Sequence, residues 1–211
     1  MPADGGVTLS PDWGQASRIA STMQGRFTKA LDRAVMKEAQ FLRSHMVKGI
    51  ASGAPGGNPF KPLSPMTLAL RAAGGFGGSK PLIRTGALRG SITVVKLSGG
   101  RVFVGVHRSA KGADGKGLAN VAALMEFGGT STHTLRQRRY LMAKLRQAGI
   151  TLPKGGGGGV PIGGKIIIPA RPFVAPVLST YAKPSDVKRR FYAEIAAAMG
   201  GDVGKGVGGK L

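Results

Sequence analysis

Cysteine is absent from the 211 residues, and acids are scarce. Without cysteine there is no disulfide framework, thiol nucleophile or thiolate metal site. Nine acids stand against 31 lysines and arginines. They are scattered, with no pair at the short spacing that lets two carboxylates share acid–base work. Histidine is rare too. His45, His107 and His133 lie far apart without metal-ligand spacing, and each reads as a surface or structural histidine. No apolar run approaches the roughly 18 residues of a membrane span. The segment Met1–Gly6 lacks the basic start and apolar middle of a secretory signal. The expectation is a protein made in a reducing cytoplasm, with no cofactor, metal site or membrane partner.

What is abundant is glycine (36), proline (13) and positive charge, a formal +22. Apolar residues still make up 42% of the chain, enough for a core. That balance predicts a compact centre with long glycine-rich loops and mobile ends, ordered when neighbours hold them. So large a charge repels itself in a compact state, and an anionic partner or acidic neighbouring subunits would relieve it.

The expected organisation is a flexible arm over 1–16, one domain over 17–199 and a flexible tail over 200–211. The domain carries a glycine-rich basic insertion at about 130–164. From Ser17 to Ile50, apolar residues recur at spacings of three and four, including Ile19, Met23, Phe27, Leu31, Met46 and Ile50. This predicts a long amphipathic helix, with Arg18, Arg26, Lys29, Arg33, Lys37, Arg43 and Lys48 on its other face. Ser64-Pro65 is an N-cap followed by proline at the first helical position, so a short helix is expected to Ala72. Strands over 92–97 and 101–106, joined by Ser98-Gly99-Gly100, form a hairpin. Short helices are expected at 118–127 and 135–148, a strand at 165–168, and a last helix at 187–199. The fold class is α+β: a small, mainly antiparallel sheet packed against the long N-terminal helix and a C-terminal helix.

The catalytic inventory is thin. Glu126, the one acid in the apolar stretch 121–127, reads best as an interface ion pair with an arginine. The glycine runs 155–159 and 74–78 lack the strand and helix on either side that a phosphate loop needs, and read as linkers. The basic stretch with Arg136, Arg138, Arg139, Lys144 and Arg146 carries no acid. It suits either a phosphate backbone or an acidic subunit. Tyr140 is its sole aromatic, too few for a base-stacking platform.

Three segments, in order, carry a resemblance. They are Lys80–Ile92, with Arg84-Thr85-Gly86-Ala87-Leu88-Arg89; Leu124–Gly129, with Glu126-Phe127-Gly128-Gly129; and Ile168–Val174, with Pro169-Ala170-Arg171-Pro172-Phe173. Following a long helix and a Leu63–Thr67 segment, they resemble the tail-completion or virion-morphogenesis proteins of tailed bacteriophages. Met125 stands where a histidine commonly precedes the second segment's core. Read physically, Thr85-Gly86 turns the chain sharply, Leu88 anchors it, and Gly128-Gly129 allows a close backbone approach. Arg171, held between prolines, is a rigid donor fork for a carboxylate or for backbone carbonyls. Phe173 is a buried aromatic anchor.

The resemblance implies a non-enzymatic virion protein at the head–tail junction or proximal tail end. It would form a ring around the DNA path, six-fold as the first expectation and twelve-fold as the second. Its neighbours would be head-connector, tail-terminator or tail-tube proteins, with genomic DNA in the lumen. The alternative is a free basic protein that binds nucleic acid without reading sequence.

Overall fold

The computed structural model describes residues 12–113, 115–132, 134–147, 149 and 165–200. The glycine run 155–159 and most of the expected tail lie outside the described residues. Helix α1 spans Asp12–Ser52, 41 residues. It begins inside the stretch expected to be a flexible arm, since residues 12–16 are already helical.

Helix α7, Pro184–Gly200, lies antiparallel against α1. Arg190 meets Glu38 and Lys37 meets Glu194, so rising numbers on α1 face falling numbers on α7. At 1.5 Å per residue on both helices, α7 ends near position 31 of α1. Beyond that point α1 is uncovered: every residue from 17 to 29 is exposed, a length of roughly 20 Å. The amphipathic stripe is therefore buried only in its second half, at Ala30, Ala34, Met46 and Ile50. Ile19, Met23, Phe27 and Leu31 face outward.

Strands β1 (Ile92–Lys96) and β2 (Val102–Val106) pair antiparallel, with Ile92 opposite Val106 and Lys96 opposite Val102. Gly99 and Gly100, both at positive φ, make the turn between them. Arg43 on α1 donates from Nε to the Ile92 carbonyl at 2.7 Å, fastening the hairpin to the helix.

The expected single sheet is two separate pairs. The second joins β3 (Gly129–Thr132) to β4 (Lys165–Ile168). Strand β3, a polar Gly-Thr-Ser-Thr run without alternation, was not anticipated. It exists because β4 supplies its ladder. Two further helices, α3 (Ala87–Gly90) and α6 (Ala175–Tyr181), were also not anticipated and are too short to show a period. Helices α2 (Pro65–Ala73), α4 (Leu118–Phe127) and α5 (Leu135–Gln147) fall where the sequence places them. No helix among the described residues is long and apolar enough to cross a membrane.

The core gathers Met46 and Ile50 of α1, Ile92 of β1, Phe173, and Val177 of α6, all nearly inaccessible. Leu42, Phe60, Ile83, Val104 and Tyr181 pack around them. Each such side chain contributes about 1.5–3 kcal/mol when fully buried. Phe173 is the aromatic anchor that the sequence suggested.

Candidate functional site

The three segments that carry the resemblance converge around one groove. The first makes its rim. Ser64 caps α2 by accepting the Thr67 amide at 3.2 Å, which sets α2 as one wall. Arg71 leaves that wall and donates from Nη1 to the carbonyls of Lys80, at 2.9 Å, and Ile83, at 3.3 Å. These bonds hold the loop before α3. Thr85 Oγ1 accepts the Ala87 amide at 3.3 Å, Gly86 takes a left-handed turn, and Leu88 is buried beneath. Arg84 lies over the Phe76 ring, 4.9 Å from its centroid. Arg89 is exposed on α3.

The second and third segments lock to each other. The Glu126 carboxylate accepts the amides of Phe173 (2.8 Å), Val174 (3.0 Å) and Ala175 (2.8 Å). These are the amides at the start of α6, and the carboxylate satisfies donors that the helix itself cannot. Within the chain the carboxylate serves as a backbone cap, and no arginine pairs with it among the described residues; the expected ion pair concerned an interface. Gly128 holds φ 72° and ψ −176°. A Cβ there would lie 2.9 Å from the Ala170 nitrogen and 3.0 Å from the Ile168 carbonyl oxygen. The close approach expected of Gly128-Gly129 is real, and Gly129 also opens β3 opposite Ile168.

Arg171 takes the second of its two expected partners. Its amide donates to the Met125 carbonyl at 2.7 Å. Its guanidinium donates to the carbonyls of Lys61 (3.2 Å) and Pro62 (3.3 Å). Only 9% of the residue is exposed, and burial lowers its pKa from the ordinary arginine value. Pro169 and Pro172 flank it, both half-buried. Phe127, by contrast, is 82% exposed.

Between these parts lies an open groove of about 930 Å³. Leu63, Met66, Leu82, Val121, Met125 and the isoleucines of β4 give it an apolar lining, and Arg71, Arg84 and Arg171 give it a cationic edge. The Arg71 pKa is lowered by burial first, and then by the positive charges of Arg84 and Arg171. Leu82 is the one non-glycine residue at positive φ (61°) among the described residues. That backbone conformation is unfavourable for a branched side chain and is held in place by the surrounding contacts.

Helix α5 packs on α2, the groove's wall, and buries Leu145. Arg136, Arg139 and Arg146 are exposed, while Arg138 and Lys144 are half-buried. Thr134 and Gln137 form a reciprocal cap at its start, with the Gln137 amide on Thr134 Oγ1 (3.2 Å) and the Thr134 amide on Gln137 Oε1 (3.0 Å). That Thr-x-x-Gln signal was present in the sequence and was missed.

His45 is structural: its Nδ1 lies 3.0 Å from the Phe41 carbonyl oxygen and its ring packs on Tyr181. His107 pairs with Ser109 at 2.6 Å. His133 lies outside the described residues. Among the described residues no three His, Asp or Glu side chains gather as metal ligands. The run after Gly74 follows the C-terminus of α2, the end of a helix that repels anions. No protein-family model, curated protein or solved structure matches the chain.

Proposed function

We propose that this chain is a structural virion protein of a tailed phage, completing the tail end and joining tail to head as a ring around the DNA path. The observation that carries the reading is the convergence of the three resembling segments on one groove. Their polar chemistry is spent on backbone: Glu126 holds the amides at 173–175, and Arg171 holds the carbonyls at 61 and 62. Such bonds build a rigid surface and move no protons.

Two other features support assembly. The outer part of α1 offers an apolar stripe, Ile19-Met23-Phe27-Leu31, that is exposed among the described residues. Phe127 is likewise exposed. The arm and the body of the chain are different surfaces, and heterologous contact between copies of the chain closes into a ring when the rotation allows it. Six subunits remain the first expectation and twelve the second.

The test is genetic and visual. Phage lacking the gene should accumulate separate heads and tails, and electron cryomicroscopy of complete particles should show this fold at the neck. Fully infectious particles without the protein would sink the proposal.

A second reading has its own observation. Arg136, Arg139 and Arg146 present an exposed basic face without an acid on α5. In a ring that face would line the DNA path. In a free protein it would bind nucleic acid through phosphate. Tight duplex binding by the isolated chain, with no place in particles, would favour the second reading.

A further inference from the structure

The groove carries positive charge that no carboxylate among the described residues neutralises. Among the described residues, no carboxylate pairs with Arg71, Arg84 or Arg171. Five of the nine acids are engaged elsewhere: Asp32 with Lys96, Glu38 with Arg190, Asp186 with Arg189, Glu194 with Lys37, and Glu126 with amides. Arg71 and Arg171 have donors committed to carbonyls. Arg84 makes no hydrogen bond among the described residues, and only the Phe76 face holds it.

The groove also has an open strand edge. Ile166, Ile167 and Ile168 of β4 all line it, and among the described residues the only ladder partner of β4 is β3. In an antiparallel pair, alternate residues turn their N–H and C=O away from the partner strand. Those groups on β4 form an edge of the kind that accepts another strand. Ile167 is 76% exposed.

We propose that the groove takes an extended segment of an acidic partner protein, added as a third strand on the outer edge of β4. Its apolar side chains sit against Met66 and Val121, and a carboxylate is bonded to Arg84. Main-chain hydrogen bonds supply affinity in this mode, and alternate side chains supply specificity. Charge argues for a different protein over a second copy, since this chain has 31 bases and nine acids and few acidic segments to offer. Nucleic acid satisfies the arginine but has no side chains for the apolar lining. The proposal deepens the assembly reading, on which it rests for the partner being a protein.

The experiment titrates the full-length chain with a capped octapeptide alternating valine and glutamate, followed by amide NMR shifts and calorimetry. Saturable binding is expected, with shifts at 165–168 and 82–85. Replacing valine by serine or glutamate by lysine should abolish it. Arg84→Gln should weaken it about tenfold, roughly one charge-assisted hydrogen bond. Arg89→Gln, on the same short helix but off the groove, should leave it unchanged. No saturable binding, equal binding of the serine peptide, or wild-type affinity in Arg84→Gln would each overturn the proposal.

Complementation of the gene deletion with Arg84→Gln separates the two claims. Peptide binding that needs Arg84, alongside normal particles, upholds the groove's ligand and removes the groove from assembly. Absence of binding, alongside particles that fail without the protein, overturns the ligand and leaves the assembly reading standing.

Discussion

Glu126, near the end of α4, accepts the backbone amide of Phe173 at 2.8 Å across 47 residues of chain. The same carboxylate takes the next two amides, so one side chain sets both where α6 begins and how deeply Phe173 enters the core.

Glu126→Ala should therefore destabilise the fold by about 2–4 kcal/mol, because three amides at the start of α6, two of them part-buried, lose a charged acceptor together. Glu126→Gln should cost less, since one carbonyl oxygen remains. Urea denaturation of both variants measures the difference. A change below about 0.5 kcal/mol for Glu126→Ala would show that water replaces the carboxylate without loss.

As a donor fork, Arg171 could serve a neighbouring subunit's carboxylate or the carbonyls of its own chain. The structure places it inside, holding the 61–62 carbonyls. Arg171→Ala should lower stability by about 2–4 kcal/mol and the melting temperature with it. Arg171→Lys should recover only part of that, because an ammonium cannot reproduce the fork. Unchanged thermal melting would show that these carbonyl bonds add nothing to stability.

Gly128→Ala should be among the most damaging small substitutions in the chain. The added methyl meets the Ala170 nitrogen and the Ile168 carbonyl oxygen, both backbone atoms that cannot rotate away. A positive φ adds strain. The β3–β4 pair should open, read as fast amide exchange at 129–132 and 165–168.

Along α1, two apolar residues on the same stripe should behave oppositely. Met46→Ala removes a side chain that is 1% exposed and should cost about 2–5 kcal/mol. Phe27→Gln changes one that is 47% exposed and should leave stability within about 0.5 kcal/mol. It should nonetheless reduce particle assembly, measured as the fraction of tails joined to heads.

On α5, the triple substitution Arg136→Gln, Arg139→Gln, Arg146→Gln should leave the circular dichroism unchanged. If the basic face meets duplex DNA, the slope of log affinity against log salt should fall by about 2.7, the release of three counterions. An unchanged slope would remove α5 from any contact with phosphate.

Much of the framework was legible because it is local. The period of α1, the Ser64-Pro65 start of α2, the Gly99-Gly100 turn and the apolar run of α4 each arise from neighbours within a few residues. The α+β class follows from them. The site was legible as segments: Thr85-Gly86, Gly128-Gly129 and the proline-flanked Arg171 were all singled out, and each has a steric or hydrogen-bonding task. Their partners were not legible. An arginine between prolines reads the same whether it meets a carboxylate or a carbonyl, and the choice is made by what lies 110 residues earlier in the chain.

Residue type and spacing alone decided the excess of positive charge, the lack of thiol chemistry, the long helix and the first hairpin. Tertiary structure alone decided that residues 17–29 of that helix are exposed among the described residues, because α7 reaches only to about position 31. It also decided that Glu126 binds amides, that a polar run becomes β3, and that three arginines gather beside an apolar groove. The physical reason is common to all of these. Helix period and turn chemistry act over one or two turns of chain, whereas burial, capping at a distance and charge clustering depend on which remote segments share the same space.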